Sequence, residues 1–173
     1  MAAEPWLSGP VEGVDAYLQP AAHALLQSRE DLQRAAEGLG ARQLWVRPGG
    51  AASIGFHLRH IAGAVDRLLT YARGEALSEA QVAAARAEQA PGDEAHAGPL
   101  VALAQAAIDT ALAHLRATPR ETLLDARGVG RAQLPSTVLG LLFHVAEHTQ
   151  RHTGQVIATA KVVRAEAASA GTP

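Results

Sequence analysis

Four stretches of this chain repeat apolar residues at intervals of three and four, with glycine or proline between them, and that pattern leaves little choice but packed helices. In the first stretch Val14, Leu18, Ala21, Ala22, Leu25, Leu26, Leu32 and Leu39 recur at helical spacing until Gly38 and Gly40 stop it. Pro20 falls inside this pattern, so the chain either kinks there or begins its helix just before it. A second helix is expected from Ile54 to Ala72, with Ser53 as N-cap and Gly74 past its end. A third runs near Gly98 to Ala117, where Leu100, Leu103, Ala107, Ala111 and Leu115 form a stripe and Pro119 closes it. The last opens at Pro135 and Ser136, with Ser136 as its cap, and continues to about Ala165.

Between these stretches the signals are weaker. RQLWVRPGGAAS reads as a loop because of its Pro-Gly-Gly punctuation. Residues 77–90 are rich in Ala, Glu and Gln with few large apolar side chains, which predicts a short, weakly anchored helix. Residues 118–134 read as a long ordered connection. The expectation is all-α: an antiparallel-type four-helix bundle with a short additional helix and a long connection before the last helix. At 173 residues one domain over the whole chain is expected, with disordered ends at about 1–10 and 167–173.

Composition narrows the chemistry. Only 3% of the chain is aromatic and its formal charge is −2, so it has neither the basic surface nor the stacking platforms of a nucleic-acid binder. The N-terminus lacks a basic start followed by an apolar run, and the longest apolar run, residues 138–146, is short and interrupted; a soluble, cytoplasmic protein with no membrane partner is expected. There is no cysteine, so disulfides, thiolate ligands and a Cys nucleophile are absent, and any metal must be held by nitrogen and oxygen.

Five of the eight histidines fall in two windows: SIGFHLRHIAG holds His57 and His60, and FHVAEHTQRH holds His144, His148 and His152. Residues four apart on a helix lie nearly above one another, so the last three form a ladder on one face. His144 and His152 are about 12 Å apart along the axis and cannot share an ion, whereas 144 with 148, or 148 with 152, can. One imidazole from the second helix would complete an open three-nitrogen site, and both would make a closed four-nitrogen one. Spacing leaves these choices open. The alternative to metal is a polar stripe satisfied by backbone or water. The zinc-protease pattern His-Glu-x-x-His fails, since Glu147 lies just before His148 and not just after a histidine, and neither Glu-x-x-His nor G-x-S-x-G occurs. His23, His96 and His114 stand alone and read as structural. Arg59, Arg67 and Arg151 read as solvated helix faces. Because imidazole ligates only when neutral, a His-held ion is expected to leave as pH falls below about 6.

SIGFHLRHIAG together with LPSTVLGLLFHVAEHTQRHTGQV resembles the DinB-like superfamily of metal-binding four-helix bundles, which includes the YfiT-like proteins and thiol-dependent S-transferases. Matched to that family's His-x-x-x-His followed by a small polar residue, Gly and Gln, the resemblance implies His148 and His152 as ligands, and His60, before an Ile-Ala pair, as the third. It implies a divalent ion, nickel or zinc, with positions left for water or substrate. His57, His144 and Gln155 become neighbours that line the pocket or support the ligands. The implied activity is metal-dependent transfer to a low-molecular-weight thiol, a co-substrate the chain needs because it has no thiol of its own. A metal-dependent hydrolase and a non-enzymatic metal-binding stress-response module are the alternatives. The resemblance also implies a homodimer, which an Ala-rich, weakly charged helix face would suit.

Overall fold

The computed structural model describes residues 4–170. Its helices are α1 (Gln19–Ala36), α2 (Ala41–Trp45), α3 (Ile54–Ala72), α4 (Glu79–Ala87), α5 (Gly98–Ala117) and α6 (Val138–Ala170), with the strands β1 (Ala126–Val129) and β2 (Leu134–Thr137) before the last. Among the described residues the chain is all-α apart from that hairpin and an isolated bridge between Gly40 and His96. Of the ends expected to lack order, residues 1–3 and 171–173 lie outside the described residues, Pro5–Leu7 forms a 3-10 turn, and α6 extends to Ala170.

Each long helix begins and ends where local chemistry dictates. Ser53 Oγ accepts from the amide of Phe56 at 3.2 Å and so starts α3. Gly74, at φ +80°, stops it, with its amide donating to Tyr71 O. Pro20 sits in the first turn of α1, where its missing N–H costs nothing, so the helix starts there rather than kinking. In the core, α3 packs on α5 and α6, and α1 packs on the same two, which puts α1 and α3 on one diagonal of a four-helix bundle. Leu25 and Leu32 of α1, Leu58, Ile61 and Val65 of α3, Ile108 and Leu115 of α5, and Leu142 and Val156 of α6 are buried along its axis. By length and composition α5 could cross a membrane, with a mean hydropathy of 1.2 over eighteen residues, but here Leu100, Ala104, Ile108 and Leu115 face the bundle core.

Three sequence expectations need correction. Residues Ala41–Trp45 form a helix where a loop was expected, and Trp45 lies against α3 at Gly55, where an added Cβ would come within 2.6 Å of its ring. The connection before α6 contains an antiparallel hairpin, Ala126 pairing with Thr137 and Val129 with Leu134, turned at Gly130 (φ +68°) and Gln133 (φ +48°). Arg127 ties that hairpin to α3 by donating from Nε to Ala72 O at 2.8 Å. Ser136 therefore lies in β2, and the cap of α6 is Thr137, whose Oγ1 accepts from the amide of Gly140 at 3.0 Å.

Candidate metal centre

On α3, residues 57 and 60 are three apart, and on α6, residues 148 and 152 are four apart, so each pair shares a face. The contact between α3 and α6 brings those faces together. His60 Nε2 stands 2.9 Å from His148 Nε2, across 88 residues of sequence. The His60 and His152 rings are 4.5 Å apart between centroids, as are those of His148 and His152. One ring nitrogen from each of His60, His148 and His152 lies within 4.8 Å of the other two, a grouping that could hold a metal ion. Phe56 stacks on His60, 5.2 Å between centroids and 17° from parallel, and forms one wall.

The other implied neighbours are placed differently from one another. His57 is buried, and its Nδ1 is 2.9 Å from His152 Nδ1, so it leans on one member of the group from the side. His144 is half-exposed one turn away, its ring 5.3 Å from that of His148 and its Nδ1 3.3 Å from Glu147 Oε2. Glu147 also accepts from Arg151. Gln155 is exposed, and its side chain makes no hydrogen bond among the described residues. His23 Nε2 lies 2.9 Å from Gly9 O, far along the chain from the group, and His96 Nδ1 accepts from the amide of Gly98 at the start of α5.

Two of the arginines read as solvated are not. Arg67 Nη1 donates to Glu88 Oε1 at 2.6 Å, and Arg59 Nη2 donates to Glu94 Oε1 at 2.6 Å while its guanidinium lies 4.8 Å from the Trp45 ring centre. Both carboxylates come from the segment following α4. Glu88 was not singled out from sequence, yet its Oε2 is 2.7 Å from His60 Nδ1. The one sequence signal for it is Gly63, a glycine inside a strong helical pattern three residues after His60, which marks a close approach.

Burial favours the neutral form of His57, His148 and His152. Burial, followed by the neighbouring His60 and His144, pushes His148 down to about 4. Burial, with His60, His148 and His57 adding to it, pushes His152 down to about 3. His57 falls to about 4, again chiefly by burial. Burial alone would raise the Glu88 carboxyl, but hydrogen bonds from His60 and Arg67 outweigh it and hold it below its ordinary value. In the metal-free fold these shifts oppose protonation of His148 and His152.

The donor set fits an ion. Two basic nitrogens facing each other at 2.9 Å need either a shared proton or a shared cation between them. Nitrogens bound to one ion at about 2.0–2.1 Å stand no more than about 4 Å apart; the His60–His148 pair, at 2.9 Å, is inside that limit, and the group of three, spread within 4.8 Å, closes to it only if a ring shifts. Glu88, with both oxygens engaged, belongs to the surroundings of the group.

A helical bundle in which imidazoles from two packed helices converge on one point defines the class: a histidine-type metal-binding bundle. The family model that matches the chain, the DinB superfamily, covers residues 24–156, and the chain belongs to that superfamily. No curated protein among those compared matches it.

Proposed function

We propose that this chain is a metal-dependent enzyme in which His60, His148 and His152 hold a divalent ion, nickel or zinc, and that it transfers a group to a low-molecular-weight thiol. The observation that carries the reading is the convergence of three ring nitrogens from α3 and α6 within 4.8 Å. An all-nitrogen set suits nickel or zinc better than magnesium or calcium, which prefer oxygen. Held by neutral imidazoles, such an ion supplies Lewis acidity, favouring the anionic form of a thiol brought to it. The protein's own residues do the rest. Phe56 walls one side against water, His57 supports His152, and His144 with the Glu147–Arg151 pair forms a polar rim on α6 where a small-molecule substrate would enter. With no cysteine in the chain, the thiol must come from solution. We place the protein in the cytoplasm and assign it a homodimeric state, the latter tested by light scattering on the purified protein.

The decisive experiment compares protein loaded with nickel or zinc and protein stripped with chelator, using a small thiol and an electrophilic acceptor and measuring thioether formation. Activity confined to the loaded form supports the reading. Loaded protein that cleaves ester or amide substrates without any thiol would make it a hydrolase, and loaded protein that does neither would make it a binding module.

A further inference from the structure

Between Arg73 and His96 a single residue is buried, and it is a carboxylate. Glu88 is 7% exposed, whereas α4 just before it contributes no buried side chain. Segments normally dock through apolar residues, because burying a charge is costly unless it is fully paired. Here the charge is fully paired. One oxygen accepts a hydrogen bond from Arg67 Nη1 at 2.6 Å and the other lies 2.7 Å from His60 Nδ1. An ionised carboxylate can only accept, so the Nδ1 of His60 carries a proton, and in the neutral ring, the form that ligates, Nε2 then presents the lone pair. That Nε2 is the atom facing His148.

We propose that Glu88, held by Arg67, is the positioning residue of the metal centre: it fixes the tautomer and the ring plane of His60 and couples docking of α4 to occupancy of the site. The proposal rests on the metal reading above. The helix surface is shaped for this arrangement. Residues 60, 63 and 67 share one face of α3, and a Cβ at Gly63 would stand 2.2 Å from Glu88 Oε1 and 2.7 Å from Arg67 Nη1. Glycine at 63 leaves room for the carboxylate to lie between the ligand and the arginine, and a methyl group there would push one or both aside. On either side of Glu88, α3 holds the same segment by further polar contacts: Gln81 Nε2 donates to Asp66 Oδ2 at 2.7 Å and to Thr70 Oγ1 at 2.8 Å, and Arg59 Nη1 donates to Ala90 O at 2.9 Å. With no fully buried apolar side chain between residues 73 and 96, the hold on this segment leans on these bonds, one of which ends on a proposed ligand. Coupling of this kind is reciprocal: if Glu88 favours the ion-binding form of His60, a bound ion favours the docked α4.

The test measures the zinc affinity of the full chain by competition with a chromophoric chelator, alongside the tautomer of His60 by ¹⁵N NMR of the metal-free protein. Glu88→Ala and Gly63→Ala are expected to weaken zinc binding by roughly 10–100-fold, with Glu88→Gln partly rescuing because its amide oxygen still accepts. His60 should be Nδ1-protonated in the parent protein and a tautomer mixture in Glu88→Ala. Amide exchange across residues 79–94 should slow on adding zinc to the parent and respond less in Glu88→Ala. Zinc affinity within twofold of the parent in both Glu88→Ala and Gly63→Ala, with an unchanged His60 tautomer, overturns the proposal. A parent protein that binds no zinc overturns the metal reading instead, and the two failures are distinct. If Glu88→Ala does not fold, Glu88→Gln and Gly63→Ala carry the same comparison.

Discussion

His148 belongs to both pairs that the α6 ladder offers, and the structure shows the 148–152 pair turned to α3 while His144 stays half-exposed beside Glu147. Replacing His60, His148 or His152 with alanine is therefore expected to abolish stoichiometric metal, as read by elemental analysis, whereas His23→Ala and His114→Ala should leave it intact. Equal metal content in all five would remove the assignment. The pH response follows from the same residues. In the unfolded chain histidine takes up a proton near 6.5, while the folded chain resists protonation of His57 and His148 until about 4 and of His152 until about 3. Over that interval the unfolded state binds more protons, so stability of the metal-free protein is full above about pH 6.5 and declines steadily as pH falls towards 4. Thermal melts of metal-free protein between pH 7 and 4.5 should show a falling midpoint, and a flat profile would mean these rings are solvated. The ladder and the HIA sequence made the histidines legible in sequence. Which rings converge was not legible from spacing, because it depends on how α3 and α6 rotate against each other, and Glu88 was hidden because a glutamate in an Ala- and Gln-rich stretch looks like any solvated one.

At the scale of elements, α3 and α5 could be read to the residue because an N-cap or a helix-stopping glycine or proline brackets a strong apolar stripe. The hairpin Ala126–Val129 with Leu134–Thr137 could not, since its strands are four residues long, mostly polar or small, and owe their pairing to the turn at Gly130 and to anchoring by Arg127. The same hairpin moves the start of α6, making Thr137 its cap. Thr137→Ala should cost about 1 kcal/mol, by the usual worth of a capping hydroxyl, and lower the melting midpoint by roughly 2–4 °C in a chain of this size. Ser136→Ala, in the strand, should cost less. The opposite order would return the cap to Ser136. The short helix α2 escaped notice for a related reason: it is held by Trp45 lying on Gly55 and by Arg59 over the indole, contacts between segments that no local pattern announces.

For the whole molecule, the question is whether the metal centre holds the bundle together or is carried by it. The apolar axis from Leu18 and Leu25 through Ile61, Ile108 and Leu142 is complete without any contribution from the histidine group, which sits to one side between two of the four helices. Small metallo-domains that unfold on chelation lack such a core, and their ligands replace it. Removing metal from this protein should therefore leave its helical circular dichroism intact while lowering the melting midpoint, because an ion that binds only the folded state adds about 2.7 kcal/mol when present at one hundred times its dissociation constant. In a chain of this length that corresponds to roughly 5–10 °C. Restoring zinc or nickel should recover the midpoint, and His60→Ala should show no response to either ion. Collapse of the helical signal on chelation would mean that the imidazole cluster carries the fold, a result incompatible with an open catalytic site and with the independence of the core argued from Leu25, Ile61 and Ile108.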